Sequence, residues 1–222
     1  MTLAAPLPGA RRRARGSTRT TMLRSAADLL RERGAAGVTI DAVLARSGSP
    51  RGSVYHHFPE GRSQLLREAL EFAGNQITEA IEQAAGGDGT ALLRQFTAMW
   101  REALLSSDYT AGSPVLAAAV GSGQDEQQLT SVAADIFRRW RDASIDAFVR
   151  EGFDRAGATA LAHTTISALE GAVVLCRSTR SLEPLDDVAR QMEFLIKARQ
   201  FVSHSRVSAE TSSEVSAGAS AL

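Results

Sequence analysis

Cysteine is almost missing from this 222-residue chain, which has Cys176 alone. An internal disulfide framework and a multi-cysteine zinc site are therefore both excluded. Lysine is almost missing too: Lys197 is one of 25 basic residues and the rest are Arg. With abundant Ala and Gly this matches a GC-rich coding bias and carries no chemistry of its own. Aromatics make up 5% of the chain. No apolar run approaches the roughly 18 residues that suggest a membrane span. Met1 to Arg15 carries Arg but no apolar block of the kind a signal peptide needs. Net charge is absent as well, with 25 Lys plus Arg against 25 Asp plus Glu. What remains, 44% hydrophobic and 23% charged, is an ordinary globular composition on a chain long enough to bury a core. The expectation is a cytoplasmic protein with no cofactor and no membrane partner.

The zero charge is an average over two unlike parts. Residues 1–60 hold ten arginines against four carboxylates (Asp28, Glu32, Asp41 and Glu60), a net of +6, and residues 61–222 are left with −6. Such an asymmetry points to a polyanion as partner for one part. Charge alone does not separate that reading from solvated surface; the motifs do.

Between the chain ends apolar residues recur at spacings of three and four, and strand-like alternation is missing, so the fold class is all-α. Residues 1–16 carry Arg11, Arg12, Arg13 and Arg15 among Pro and Gly with no apolar period, and read as a disordered basic arm. Ser17 or Thr18 can cap a first helix whose Leu23, Ala26, Ala27 and Leu30 share a face and which ends at Gly34. Thr39 can cap a second, carrying Ile40, Val43 and Leu44. Ser47-Gly48-Ser49-Pro50 makes a tight turn, and a third helix is expected over 50–58, capped by Ser49 and stopped by Pro59. A fourth starts near Arg62. Further helical runs fall near 90–107, 113–121, 125–152, 156–178 and 184–202, and 203–222 reads as a disordered tail. The expected domains are 17–62 and 63–202.

A short capped helix, a glycine turn and a second short helix form a helix-turn-helix pattern. The second helix has little apolar surface beyond Val54 and Phe58, which are spaced four apart as core. Its polar residues need another use. Arg51 can reach a guanine edge or clamp a phosphate, Gly52 permits close approach, and Ser53, Tyr55 and His56 can donate to phosphates or bases. His57 is expected to be packed.

The block TIDAVLARSGSPRGSVYHHFPEGRSQLL, residues 39–66, resembles the DNA-binding domain of TetR-family transcriptional regulators. The resemblance rests on Thr39, Gly48, Tyr55, Phe58, Arg62, Leu65 and Leu66, and is closest to the LmrA/YxaF-like branch, with Arg62 in place of that branch's lysine. Ala111-Gly112-Ser113-Pro114 and Leu169-Glu170-Gly171-Ala172 are similar to landmarks of its regulatory domain. The resemblance implies a homodimeric repressor on a palindromic operator of double-stranded DNA, released by a small hydrophobic effector. It implies Arg51, Gly52, Ser53, Tyr55 and His56 facing DNA, with Thr39 and Arg62 on phosphates. The Arg11 to Arg15 run is either a DNA-contacting arm or a solubilising tail.

In the larger domain Phe96, Met99 and Trp100 share one helical face, and Phe137 and Trp140 another. Each alone reads as core; as a set in a regulatory domain, Phe96, Met99, Trp100 and Phe137 are candidates to line an apolar pocket. Ile166, Leu169, Val173 and Cys176 form one stripe of the last two helices, and Met192, Leu195, Ile196 and Val202 the other. Both stripes can bury against their own domain or pair with a second subunit in a four-helix bundle, and the resemblance favours the second. The four histidines lack metal-ligand spacing, and neither a nucleophile elbow nor a phosphate loop is present, so an enzyme is not expected. A helical small-molecule-binding or adaptor protein without sequence-specific DNA binding is the alternative reading.

Overall fold

The computed structural model describes residues 8–84, 86–121 and 126–219, with side chains described for 18–84, 86–121 and 128–202. Among the described residues there are nine α-helices, one short 3-10 turn and no strand. The helices are α1 (Pro8–Arg33), α2 (Ile40–Ser47), α3 (Ser53–His57), α4 (Arg62–Ala84), α5 (Gly89–Ser106), α6 (Pro114–Ala119), α7 (Glu126–Arg150), α8 (Arg155–Thr179) and α9 (Glu183–Ala219), with the 3-10 turn at Ala35–Gly37. The all-α expectation holds.

Local chemistry sets most of the boundaries. Thr39 caps α2, its Oγ1 accepting from the Ala42 amide at 3.1 Å, and Gly48 ends the helix in the left-handed region at φ 63°. Ser113 caps α6 through the Leu116 amide, with Pro114 at the first position. Asp154 caps α8 through the Gly157 amide at 2.6 Å.

Three expectations need correction. α1 begins at Pro8, well before Ser17 or Thr18, so part of the expected arm is helical. Pro suits a first helical position, and the Ala and Arg that follow are strong helix formers. α9 runs on to Ala219 where a disordered tail was expected, since no Pro or Gly interrupts its Ala, Glu and Ser before Gly218. α3 is shorter than expected and Ser49 does not cap it: Gly52 is the cap residue, and the Ser53 amide donates to the Pro50 carbonyl at 2.9 Å, making a separate turn of residues 50–53.

The chain divides into two compact units. The first comprises residues 1–78 and 107–138. Its core gathers Met22, Ala26, Leu29 and Leu30 of α1, Val43 of α2, Val54 and Phe58 at α3, and Leu65, Leu66 and Leu70 of α4. α6 packs on α1, where the Gly112 amide donates to the Arg31 carbonyl at 3.0 Å. This unit is larger than the helix-turn-helix segment because α4 passes through residues 62 and 63 without a break.

The second unit comprises residues 79–106 and 139–222, in which α5, α8 and α9 pack on one another. Phe96 meets Trp140 edge-on at 5.8 Å, and Phe148 meets Phe153 the same way at 6.1 Å. Glu151 accepts from the Gly89 amide at 2.9 Å and from the Thr90 hydroxyl at 3.2 Å, tying the end of α7 to the start of α5. Burial pushes the Glu151 carboxyl above the ordinary carboxylate range despite these bonds. By length and composition α8 is apolar enough to cross a membrane, which the expectation drawn from apolar runs overlooked because His163, Thr164 and Glu170 interrupt it. Its Leu161, Leu169, Val173 and Cys176 are buried in this unit, and burial raises the Cys176 thiol pKa.

Gly89 sits where a Cβ would collide with the Phe148 ring and approach Glu151 Oε2 to 2.5 Å. Gly89→Ala is expected to destabilise the protein by about 1–3 kcal/mol through overpacking. Chemical denaturation checks this; an unchanged midpoint would mean the ring yields freely.

Candidate nucleic-acid interface

The α2–turn–α3 segment sorts its side chains by physical type. Val54 and Phe58 are fully buried, whereas Arg51, Gly52, Tyr55 and His56 are exposed, Tyr55 to 61%. Ser53 is half-buried, and its hydroxyl donates to the Pro50 carbonyl at 2.5 Å. A Cβ built on Gly52 would meet nothing within 4 Å, so nothing inside the protein requires glycine there. Its small size leaves room for an outside surface. Thr39 is exposed, and a hydroxyl that accepts from the Ala42 amide keeps its own proton for donation. Arg51 donates through Nη2 to Asp41 Oδ1 at 2.6 Å on this same exposed side.

Long-range polar contacts hold the segment. The Arg19 guanidinium lies over the Phe58 ring, 5.1 Å from its centroid, and also pairs with Glu68 of α4. Gln64 Nε2 donates to the other Glu68 oxygen at 2.9 Å. Arg46 makes a two-point pair with Glu32 at 2.8 and 2.7 Å, joining α2 to α1. The hydrogen bond from Arg46 holds the Glu32 carboxyl below its usual range, and Glu32 in turn raises Arg46.

Arg62 needs correction. It was expected on a phosphate, but the structure turns it inward. Its Nε donates to the Val38 carbonyl at 2.7 Å and its Nη2 to the Ala35 carbonyl at 2.6 Å. The planar fork closes the connection between α1 and α2, where a lysine would offer no matching pair of donors. His57 is half-buried with its ring 6.4 Å from Phe58, in keeping with a packed role. The Arg11 to Arg15 side chains lie outside the described residues.

The face that remains combines cationic, hydroxyl and imidazole donors around a glycine on a short helix preceded by a capped helix. This is equipment for a phosphate backbone and base edges. Known proteins agree. Residues 22–69 match the model of bacterial regulatory proteins of the tetR family, and residues 90–191 match the LmrA/YxaF-like transcriptional regulator C-terminal domain. An uncharacterized HTH-type transcriptional regulator of Mycobacterium tuberculosis is 44% identical over 185 residues, covering 81% of this chain and 94% of that one.

The chain belongs to the TetR family of transcriptional regulators.

YxaF of Bacillus subtilis, another HTH-type transcriptional regulator, is 25% identical and covers 83% of this chain and 98% of its own. The crystal structure of a TetR-family regulator from Cytophaga hutchinsonii shares the fold with a TM-score of 0.69, at 20% identity over 87% of this chain and 98% of that one. This TetR-family protein is accordingly a regulator and not an enzyme.

The second unit of the regulator treats its candidates unevenly. Phe96 and Met99 line a small apolar cleft with Ala80, Ile81, Ala84, Leu92 and Gln95. The cleft has no room even for a water molecule, far below the roughly 300–1,000 Å³ usual for ligand pockets. Trp100 lies one turn along, its ring 6.2 Å from Phe96, and its buried indole N–H has no hydrogen-bond partner among the described residues. Phe137 is half-buried in the first unit and does not line that cleft.

Burial divides the residues of the expected dimer stripes. Leu169, Val173, Met192 and Ile196 are buried within the chain itself, and Ile166 and Leu195 are half-buried. These stripes serve the packing of α8 on α9. The apolar residues left exposed on the two helices are Val174, Leu175, Phe194, Phe201 and Val202, with Phe194 at 70% and Phe201 at 74%. The signal available in the sequence was that α8 is apolar around much of its circumference, which calls for two packing partners rather than one.

Arg62→Ala distinguishes a pin from a phosphate contact. It is expected to cost about 1–3 kcal/mol of stability by stripping donors from buried carbonyls. The slope of DNA affinity against salt should stay unchanged, since loss of a phosphate contact would lower it by about one. Denaturant melts and a salt titration of binding check the two parts.

Proposed function

We propose that this TetR-family regulator is a dimeric repressor that binds a palindromic operator and leaves it when a small, mostly apolar or aromatic effector enters the second unit. The observation that carries the reading is the division at α3, where Val54 and Phe58 are buried while Arg51, Gly52, Tyr55 and His56 stand exposed. Arg51 reads a base edge, Thr39, Tyr55 and His56 supply phosphate or base contacts, and Ser53, whose hydroxyl proton goes to Pro50, accepts from a base donor. Two copies would place their α3 helices about 34–36 Å apart, one turn of duplex. A partner that is chromosomal DNA puts the protein in the cytoplasm.

The exposed face of α8 and α9 supports dimerisation. Large exposed side chains such as Leu175, Phe194 and Phe201 cost solvation unless covered, and a second copy covers them with the same patch. The effector reading is supported by the aromatic cluster of Phe96, Trp100 and Trp140 and by the Trp100 N–H, which an acceptor on an aromatic ligand would satisfy.

The test is an electrophoretic shift with the region upstream of the gene. Salt-sensitive binding below micromolar concentration is expected, and its absence at every such concentration would favour the adaptor reading. Arg51→Ala should weaken specific binding by about 1–3 kcal/mol; equal discrimination between intact and mutated operator would remove Arg51 from base reading. Leu175→Asp and Phe194→Asp should each shift the protein toward monomer in analytical ultracentrifugation while leaving its circular dichroism unchanged. A dimer that survives both would overturn the proposed interface.

A further inference from the structure

Asp41 is an anomaly on the face assigned to DNA. It stands in the first turn of α2 with its side chain 72% exposed, beside an Arg51 side chain 79% exposed. A carboxylate there repels phosphates, and a pair so exposed adds little to stability. Its first-turn position suits the helix dipole, but that does not explain why Arg51 reaches back across ten residues to meet it.

We propose that Asp41 is the positioning residue for Arg51 and thereby a determinant of operator specificity. This rests on the DNA-binding reading above. Arg51 donates through Nη2 to Asp41 Oδ1 at 2.6 Å, which biases an otherwise mobile chain toward one orientation. A guanidinium carries five N–H donors, so one bond to Asp41 leaves a complete two-donor edge. That edge matches the O6 and N7 acceptors of guanine in the major groove. Arg51 then bridges protein carboxylate and base, and the pair survives binding. Where the base is not guanine, Arg51 must swing toward another acceptor and uncover Asp41 in front of the duplex. The exposed carboxylate penalises the wrong site, so specificity arises from repulsion as well as attraction. Glu32 of α1 and Arg46 of α2 are engaged with each other in a two-point pair, and Asp41 is the carboxylate paired with Arg51.

The experiment selects duplexes from a randomised pool with wild type, Asp41→Asn, Arg51→Ala and the double variant, then measures affinity for duplexes changed at each position in turn. Wild type should prefer guanine at one position in each half-site. Asp41→Asn should lower that preference by roughly five-fold or more, the lower end of what a good arginine–guanine pair provides. It should do so there alone and raise affinity for the unselected pool. The double variant should lack the guanine preference just as Arg51→Ala does, because Asp41 acts on that preference through Arg51, but it should bind the unselected pool more tightly than Arg51→Ala because the uncovered carboxylate is gone. Thermal melts of Asp41→Asn accompany these measurements, since a merely structural role would weaken all positions alike. A uniform loss, or an unchanged guanine preference in Asp41→Asn, overturns the proposal while the operator reading stands. If wild type itself selects no sequence, the operator reading fails and the role of Asp41 fails with it.

Discussion

A helix of five residues closes almost none of its own hydrogen bonds, so α3 exists only because something outside it holds it. That constraint is Phe58. The ring is fully buried at the carboxy-terminal end of α3, covered by the Arg19 guanidinium, and Arg19 is itself held by Glu68. α1, α3 and α4 therefore meet at one aromatic ring and one ion pair. The exposed donors at Arg51, Tyr55 and His56 point outward because Val54 and Phe58 point in. A loss at Arg19 would loosen the whole exposed face of α3 without touching any residue on it.

Arginine does two unlike jobs within this small region. Arg19, Arg46 and Arg62 are spent inside the protein, on Glu68, on Glu32 and on the carbonyls of Val38 and Ala35. Arg51 is paired with Asp41 but on the exposed side, where most of its donors stay open to a partner. The basic excess of residues 1–60 is thus only partly available to a polyanion. Charge counted along a sequence measures potential partners, while the geometry decides which arginines are already engaged.

How far the sequence could be read depended on the range of each signal. The Thr39 cap, the Gly48 stop and the Pro59 end of α3 are local, and the structure agrees with them. The start of α3 was misread because Pro50 is equally at home in a turn, and the Ser53 amide and hydroxyl both go to its carbonyl. The inward turn of Arg62 and the contact of Arg19 with Glu68, 49 residues away, carry no local signature. On α8 and α9 the apolar stripes were visible, but periodicity says only that a face is buried. It does not say whether the chain's own helix or another subunit covers it, and here Leu169, Val173 and Ile196 went to the chain itself.

Both of the protein's tryptophans, Trp100 and Trp140, lie buried in the second unit, flanking Phe96. Intrinsic fluorescence is therefore an optical probe of that unit alone, since the first unit has no indole. A compound lodging at Phe96 perturbs two emitters directly. Residues 51–56 are dark at tryptophan wavelengths, so changes there need an added dye. Because Cys176 is the single native thiol and is buried with a raised pKa, a cysteine introduced beside α3, away from its proposed contact residues, would be the one reactive handle for such a label. Changes in the second unit and changes at α3 can thus be followed at separate wavelengths in a single molecule.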